Sequence, residues 1–270
     1  MIDPARAHFG FTRIPFTREL APSQLHRHHS HAETVARIEW CIAARGLGVI
    51  TGEVGAGKTV AVRAATAPLD TSRHTIIYIG NPTIGGTGVY ATIVGALGAI
   101  PRYRRAELIT QTQDLLAAEE HERGRQTILI LDEAHLLASD QLEELRLLTN
   151  AEMDSHSPLA ALLIGQPTLR RRIKLGAFAA LDQRITMRCE ITGMDLKETD
   201  SYIRHHTKIA GRDDTLFTAD ATALIHHTSR GLPRQINNLA IAGLTAAYFD
   251  KNPIVDEKNA RAAIAEVTGD

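Results

Sequence analysis

Eight consecutive residues, Gly52-Glu53-Val54-Gly55-Ala56-Gly57-Lys58-Thr59, have the types and spacing needed to hold a polyphosphate. Glycines let the main chain curl so that successive N–H groups converge on phosphate oxygens. A helix beginning near Lys58 presents its positive end to the same anion. In such a loop Lys58 reaches the β- and γ-phosphates, and the Thr59 hydroxyl ligates Mg²⁺. The binding stretch is therefore expected to run from Gly52 through Val60, with ATP and Mg²⁺ as cofactors.

Hydrolysis needs a second element, an acidic pair at the end of a neighbouring buried strand. The apolar run Thr127–Leu131 leads directly into Asp132-Glu133-Ala134-His135. Asp132 is placed for the metal and Glu133 to orient the attacking water. The same tetrapeptide occurs in one helicase superfamily, but the other helicase motifs and a second motor domain are not visible. Three further residues complete the candidate set. Gln166 follows the apolar run Leu162-Leu163-Ile164 and is read as a contact to water and the γ-phosphate. Arg184 precedes a short apolar segment and is placed to act on a neighbouring subunit's nucleotide. Arg234 follows Gly231-Leu232-Pro233, where a new helix starts, and points back toward the phosphates.

These residues require a scaffold. Leu47–Ile50, 74–79, 127–131 and 160–164 read as short strands, apolar on both faces and alternating with helices. That pattern predicts a parallel sheet covered on both sides. Ser30 and Glu33 form a capping-box pattern opening a helix to about Ala44. Beyond Met194 no strand run is evident. Helices are expected at 197–210, 219–228, 233–249 and 256–267, with Thr218 and Asp256 as N-caps. The expected division is an α/β nucleotide-binding core at 1–193, including an irregular N-terminal extension, and a helical lid at 194–270, with nucleotide at their junction.

Composition narrows the class. The 270 residues carry 30 Lys+Arg against 31 Asp+Glu, a net charge of −1, which argues against a polycation coating nucleic acid. Hydrophobic residues make up 44%, as in globular chains rather than disordered ones. Two cysteines, Cys41 and Cys189, supply no disulfide framework, so a reducing compartment is expected. No apolar run reaches membrane-spanning length, and no signal-peptide pattern is present, so the expected location is cytoplasmic. The run His26-Arg27-His28-His29-Ser30-His31 is read as a solvated helix entrance rather than a zinc site, and Cys41 as core.

On these motifs, together with Phe9-Gly10-Phe11 and Pro15-Phe16, the chain resembles the AAA+ ATPases. The likeness is to the branch holding the ExeA-type secretion ATPase and the transposition ATPases of the TnsC, TniB and MuB kind. The resemblance implies that Gln166 is sensor 1, Arg184 the trans-acting arginine finger and Arg234 sensor 2. Glutamine departs from the more usual asparagine, serine or threonine at sensor 1.

Three functional readings follow. The chain ends without the membrane span and cell-wall-binding region expected of a secretion ATPase, which points to a regulator that oligomerises on duplex DNA as a ring or filament and recruits a transposase. Arg102-Tyr103-Arg104-Arg105 and Arg170-Arg171-Arg172 with Lys174 are the candidate DNA contacts, since stacked subunits would repeat them as a basic track. The alternatives are an ExeA-like secretion-associated ATPase and a chaperone-like ATPase that binds no DNA.

Overall fold

In the computed structural model, residues 3–17, 19–150 and 157–269 are described. Two compact units are distinguished, one of Glu33–Val54 with Lys58–Ile191, the other of Met1–Ala32, Gly55–Gly57 and Thr192–Asp270.

The first of these is an α/β unit. Strands β1 (Leu47–Gly52), β2 (His74–Ile79), β3 (Gln126–Leu131), β4 (Leu159–Gly165) and β5 (Ile185–Ile191) form one sheet in the order β2-β3-β4-β1-β5. Every pairing is parallel. β1, β3 and β4 are buried on both faces along almost their whole length because nearly all their side chains are apolar, Thr51, Gln126 and Thr127 being the polar exceptions. Ile128 and Ile130 alternate with Leu129 and Leu131, and none of the four is more than 2% exposed. β4 lies between β1 and β3, so the chain segments carrying Gln166, the loop and the acidic pair leave the same end of three adjacent strands.

Helices α2 (His29–Ala43), α3 (Lys58–Thr66), α4 (Gly85–Ala96), α5 (Arg105–His121), α6 (Ser139–Leu148), α7 (Pro167–Ile173) and α8 (Ala179–Arg184) flank these strands in sequence. α2 begins one residue before Ser30, so Ser30 lies inside the first turn rather than at the N-cap. Its hydroxyl accepts from the Thr192 amide at 3.0 Å. The fifth strand is not among the four expected. Ile185–Ile191 alternates buried and exposed positions and includes Arg188 and Glu190, as an edge strand does, so it lacks the continuous apolar signal of its neighbours.

The second unit is helical. It contains α1 (Asp3–His8), α9 (Leu196–Ile209), α10 (Ala219–Ser229), α11 (Pro233–Phe249) and α12 (Glu257–Thr268). The caps follow the chemistry. The side chains of Asp195, Thr218 and Asp256 accept from Glu198, Ala221 and Asn259 amides, and Pro233 opens α11 where no N–H is missed. The N-terminal segment was expected with the α/β core. Instead Phe9, Phe11 and Phe16 are buried among Ile203, Phe217, Ile236 and Leu244 of the helical unit. Each such phenylalanine contributes roughly 1.5–3 kcal/mol by leaving water, enough to tie an otherwise irregular segment down.

The histidine run is a solvated entrance only at Arg27 and His29. His28 and His31 are only 5% and 4% exposed. Cys41 is fully buried, and burial pushes its thiol up to about 11.

Candidate functional site

The loop after β1 is set by backbone chemistry. Gly55 and Gly57 take φ of +84° and +95°, which side-chain-bearing residues adopt only with strain. Gly55 has a second reason to lack a side chain, since a Cβ there would lie 2.7 Å from the Arg234 Cβ. The Arg234 amide donates to the Gly55 carbonyl at 3.3 Å, while the Arg234 side chain is exposed. Lys58 is almost fully buried. Its ammonium donates to the Gly52 and Glu53 carbonyls at 2.8 and 2.9 Å. Ala56 is buried, Val54 is 52% exposed, and Val60 lies in the first turns of α3.

The acidic pair meets this loop directly. Thr59 Oγ1 donates to Asp132 Oδ2 at 2.8 Å. The same oxygen accepts from the Tyr78 hydroxyl at 3.0 Å, and Asp132 Oδ1 accepts from the Glu133 amide at 2.9 Å. Asp132 is only 6% exposed. Two oxygen-bearing groups in contact, one a carboxylate, form the donor set that a hard cation such as Mg²⁺ prefers, so the residues fit that ion. Glu133 stands in the left-handed region at φ 52°, and its Oε2 lies 3.4 Å from His135 Nδ1. An Arg172 guanidinium N–H donates to the His135 carbonyl at 3.1 Å. Burial pushes the Tyr78 hydroxyl up to about 12, with the Asp132 charge acting in the same direction.

Gln166 is the N-cap residue of α7, immediately after β4, and is half-buried. Arg184 closes α8 and is also half-buried. The two arginine clusters differ. In the first, Arg102 is exposed and Tyr103 fully open to solvent at the α4–α5 loop, Arg104 lies 3.7 Å from Glu107, and Arg105 pairs with Glu144. In the second, Arg170 pairs with Glu190 at 2.6 Å and Arg172 is held at His135, leaving Arg171 and Lys174 exposed. Sequence reasoning missed Tyr78. Its signal was an aromatic hydroxyl near the end of an apolar strand, which by itself reads as packing.

Residues 42–173 match the family model described as an AAA domain, and that segment contains the loop, the acidic pair and Gln166. Residues 42–173 form an AAA domain of the P-loop ATPase kind. Over 265 residues the chain is 32% identical to General secretion pathway protein A of Aeromonas hydrophila, covering 97% of this chain and 48% of that protein. The chain thus spans about half the length of that relative. The AAA domain and its helical companion are also similar to Cdc6p of Pyrobaculum aerophilum (TM-score 0.71, 17% identity, 93% of this chain and 70% of that one). A second likeness is to the Aeropyrum pernix ORC1 protein, solved in complex with DNA (TM-score 0.67, 14% identity, 93% and 68%). A third is to the Thermotoga maritima RuvB branch-migration motor (TM-score 0.56, 18% identity, 87% and 68%). At these identities the structures show the fold alone. The curated relative is a secretion protein, so the comparisons favour the secretion-associated alternative over the transposition reading. Among the described residues no helix is long and apolar enough to cross a membrane.

Proposed function

We propose that the chain is an Mg²⁺-dependent ATP hydrolase acting as a nucleotide-driven switch on components of a general secretion pathway. The direct contact between Thr59 and Asp132 carries the enzymatic part, because it brings the metal-binding hydroxyl of the loop against the metal-orienting carboxylate. When bound, Mg²⁺ would be held by Thr59 with Asp132 and would supply charge neutralisation at the phosphates. The Gly52–Val60 stretch binds the phosphates, Lys58 neutralises the β–γ bridge, Glu133 orients water, and Gln166 reports on the γ-phosphate. Arg234 is held beside the loop by its own amide bond to Gly55. Arg184 is donated to a neighbouring subunit in a self-assembled ring or filament. The division into a nucleotide-binding core at 1–193 and a lid at 194–270 belongs to the same reading, modified by the N-terminal phenylalanines.

The secretion assignment rests on the 32% identity across nearly the whole chain. Its test is replacement of the matching half of the Aeromonas relative by this chain in a strain lacking that protein. Restored secretion supports the reading, and a stable chimera that hydrolyses ATP without restoring secretion overturns it.

One observation keeps a second reading alive. Arg102, Tyr103 and Arg104 form an open basic tip that carries an aromatic ring suited to a base or sugar. This is the transposition reading, in which duplex DNA and a transposase are the partners. ATP-dependent binding of labelled duplex, lost in Arg102→Ala/Arg104→Ala, supports it. Equal binding with and without nucleotide, or none at low salt, removes it.

A further inference from the structure

Asp132 has four acceptor positions on its two carboxylate oxygens. Among the described residues three are in use. Oδ2 takes the hydroxyl protons of Thr59 at 2.8 Å and Tyr78 at 3.0 Å, and Oδ1 takes the Glu133 amide at 2.9 Å. One position on Oδ1 stays open among the described residues, and it would be available to Mg²⁺ or its water. Of the three donors, two are intrinsic to a loop-and-acid arrangement: the loop threonine and the backbone that follows the acid. The third comes from elsewhere, since Tyr78 stands on β2 opposite Ile130 of β3. The main chains are joined at the same level, with the Asp132 amide donating to the Ile79 carbonyl at 2.9 Å. β2 therefore fixes both the backbone and the side chain of Asp132, and among the described strands it is the sheet's outermost on that side.

Gly80 explains how the phenol gets there. A Cβ on Gly80 would lie 3.1 Å from Tyr78 Cε1 and 3.4 Å from its hydroxyl. The tyrosine ring therefore lies back over the glycine, along its own strand end. Tyr78 is 52% exposed, so the ring fills little core. A half-exposed tyrosine whose hydroxyl is spent on a buried carboxylate is better accounted for by that hydrogen bond than by packing.

We propose that Tyr78 is a positioning residue for Mg²⁺: its hydroxyl locks the Asp132 carboxylate in an orientation that keeps a single Oδ1 acceptor open, and the lack of a side chain on Gly80 leaves room for the tyrosine ring. The assignment rests on the ATP–Mg²⁺ reading above. Partners that orient a metal-binding group from outside its ligand shell typically change metal affinity by about 10–100-fold when removed. The consequence here falls on metal and leaves metal-free phosphate binding alone, because Lys58 and the loop amides are untouched.

The test is a Mg²⁺ titration of the full chain with a fluorescent ATP analogue, read as analogue binding. Tyr78→Phe keeps the ring and removes only the hydroxyl. It should bind the analogue in EDTA as the unaltered protein does, and should need about tenfold more Mg²⁺ for the metal-dependent rise. Gly80→Ala should shift the curve in the same direction, and Tyr78→Phe/Gly80→Ala should go no further than Tyr78→Phe alone. Asp132→Ala serves as the control that loses the metal response. An unchanged Mg²⁺ midpoint in Tyr78→Phe, with Asp132→Ala behaving as stated, overturns the role of Tyr78. Weaker binding of Tyr78→Phe in EDTA also overturns it, because the loss then lies in the phosphate cradle or the fold. If the unaltered protein binds the analogue with no Mg²⁺ dependence, the ATP–Mg²⁺ reading itself fails, and that outcome is distinct from the other two.

Discussion

The Thr59 hydroxyl and the Asp132 carboxylate, 73 residues apart in the chain, lie 2.8 Å apart in space. The first lies in the opening turn of α3 and the second immediately follows β3, and β4 stands between β3 and the strand that leads into the loop. Because β4 separates those two strands, the contact ties together segments that leave non-adjacent strands. That geometry makes the two residues one unit with separable parts.

Removing the lysine or the hydroxyl should therefore have different consequences. Lys58→Ala deletes a nearly buried ammonium and should abolish binding of an ATP analogue with and without Mg²⁺. Thr59→Ala should retain metal-free binding and lose the Mg²⁺-dependent gain. Equilibrium fluorescence titration in EDTA and in Mg²⁺ separates the two, and identical behaviour in both variants would contradict the division of labour.

Glu133 lies beside Asp132 in a left-handed conformation, a costly geometry for a residue that bears a side chain. Glu133→Gln keeps the shape and removes the base. Steady-state phosphate release should fall about 10²–10⁴-fold while analogue affinity stays within a few-fold. Unchanged turnover would remove Glu133 from the mechanism.

Arg184 is assigned to a neighbour's nucleotide, and mixing tests this without any knowledge of the assembly. Arg184→Ala subunits bind ATP without a finger, and Lys58→Ala subunits carry a finger without ATP. Each alone should be inactive, with a loss of about 10³–10⁵-fold for the finger. A mixture should recover turnover. A mixture as inactive as its components would place Arg184 outside any neighbour's site.

The histidines of the helical unit set a pH limit. His26 sits at about 4 through burial and then the neighbouring His205, with His28 and His31 adding to the depression and Glu198 opposing it. His31 sits at about 4 through burial, His28 and Arg27, and burial also lowers His28. His206, stacked on Phe16 at 5.2 Å, sits at about 3. An unfolded chain takes up these protons near 6.5, whereas the folded unit resists until about 4 or below. The stabilisation is present in full above 6.5 and is lost as pH falls through that window. Thermal melting followed from pH 7.5 to 4.5 should show a falling midpoint, and His206→Phe should flatten the fall. A midpoint insensitive to pH over this range would refute the account.

Much of this was legible in the residues. Asp132 and Glu133 were visible because the part of β3 leading into them, Ile128–Leu131, is buried on both faces and wholly apolar, so two acids after it stand out. β5 was not visible, since an edge strand needs only one apolar face and Arg188 and Glu190 interrupt its run. Tyr78 escaped for a different reason. Its role depends on the register between β2 and β3, which no local pattern carries. Phe9, Phe11 and Phe16 escaped in the same way, because their partners lie some 190 residues away in α9 and beyond. Of the two basic clusters, composition alone could not tell that Arg170 and Arg172 are engaged within the chain and that Tyr103 stands clear.

The placement of β1 also dictates when the site can exist. β1 spans Leu47–Gly52, yet its two neighbours in the sheet are β4, Leu159–Gly165, and β5, Ile185–Ile191. During synthesis the phosphate loop emerges with its strand unpaired on both sides. It must wait for more than a hundred further residues, roughly 5–20 s at ordinary elongation rates, before either edge is covered. The segment that grips phosphate is thus among the first made and among the last to be fixed, and a ribosome stalled before β4 would display a phosphate loop with no sheet to hold it.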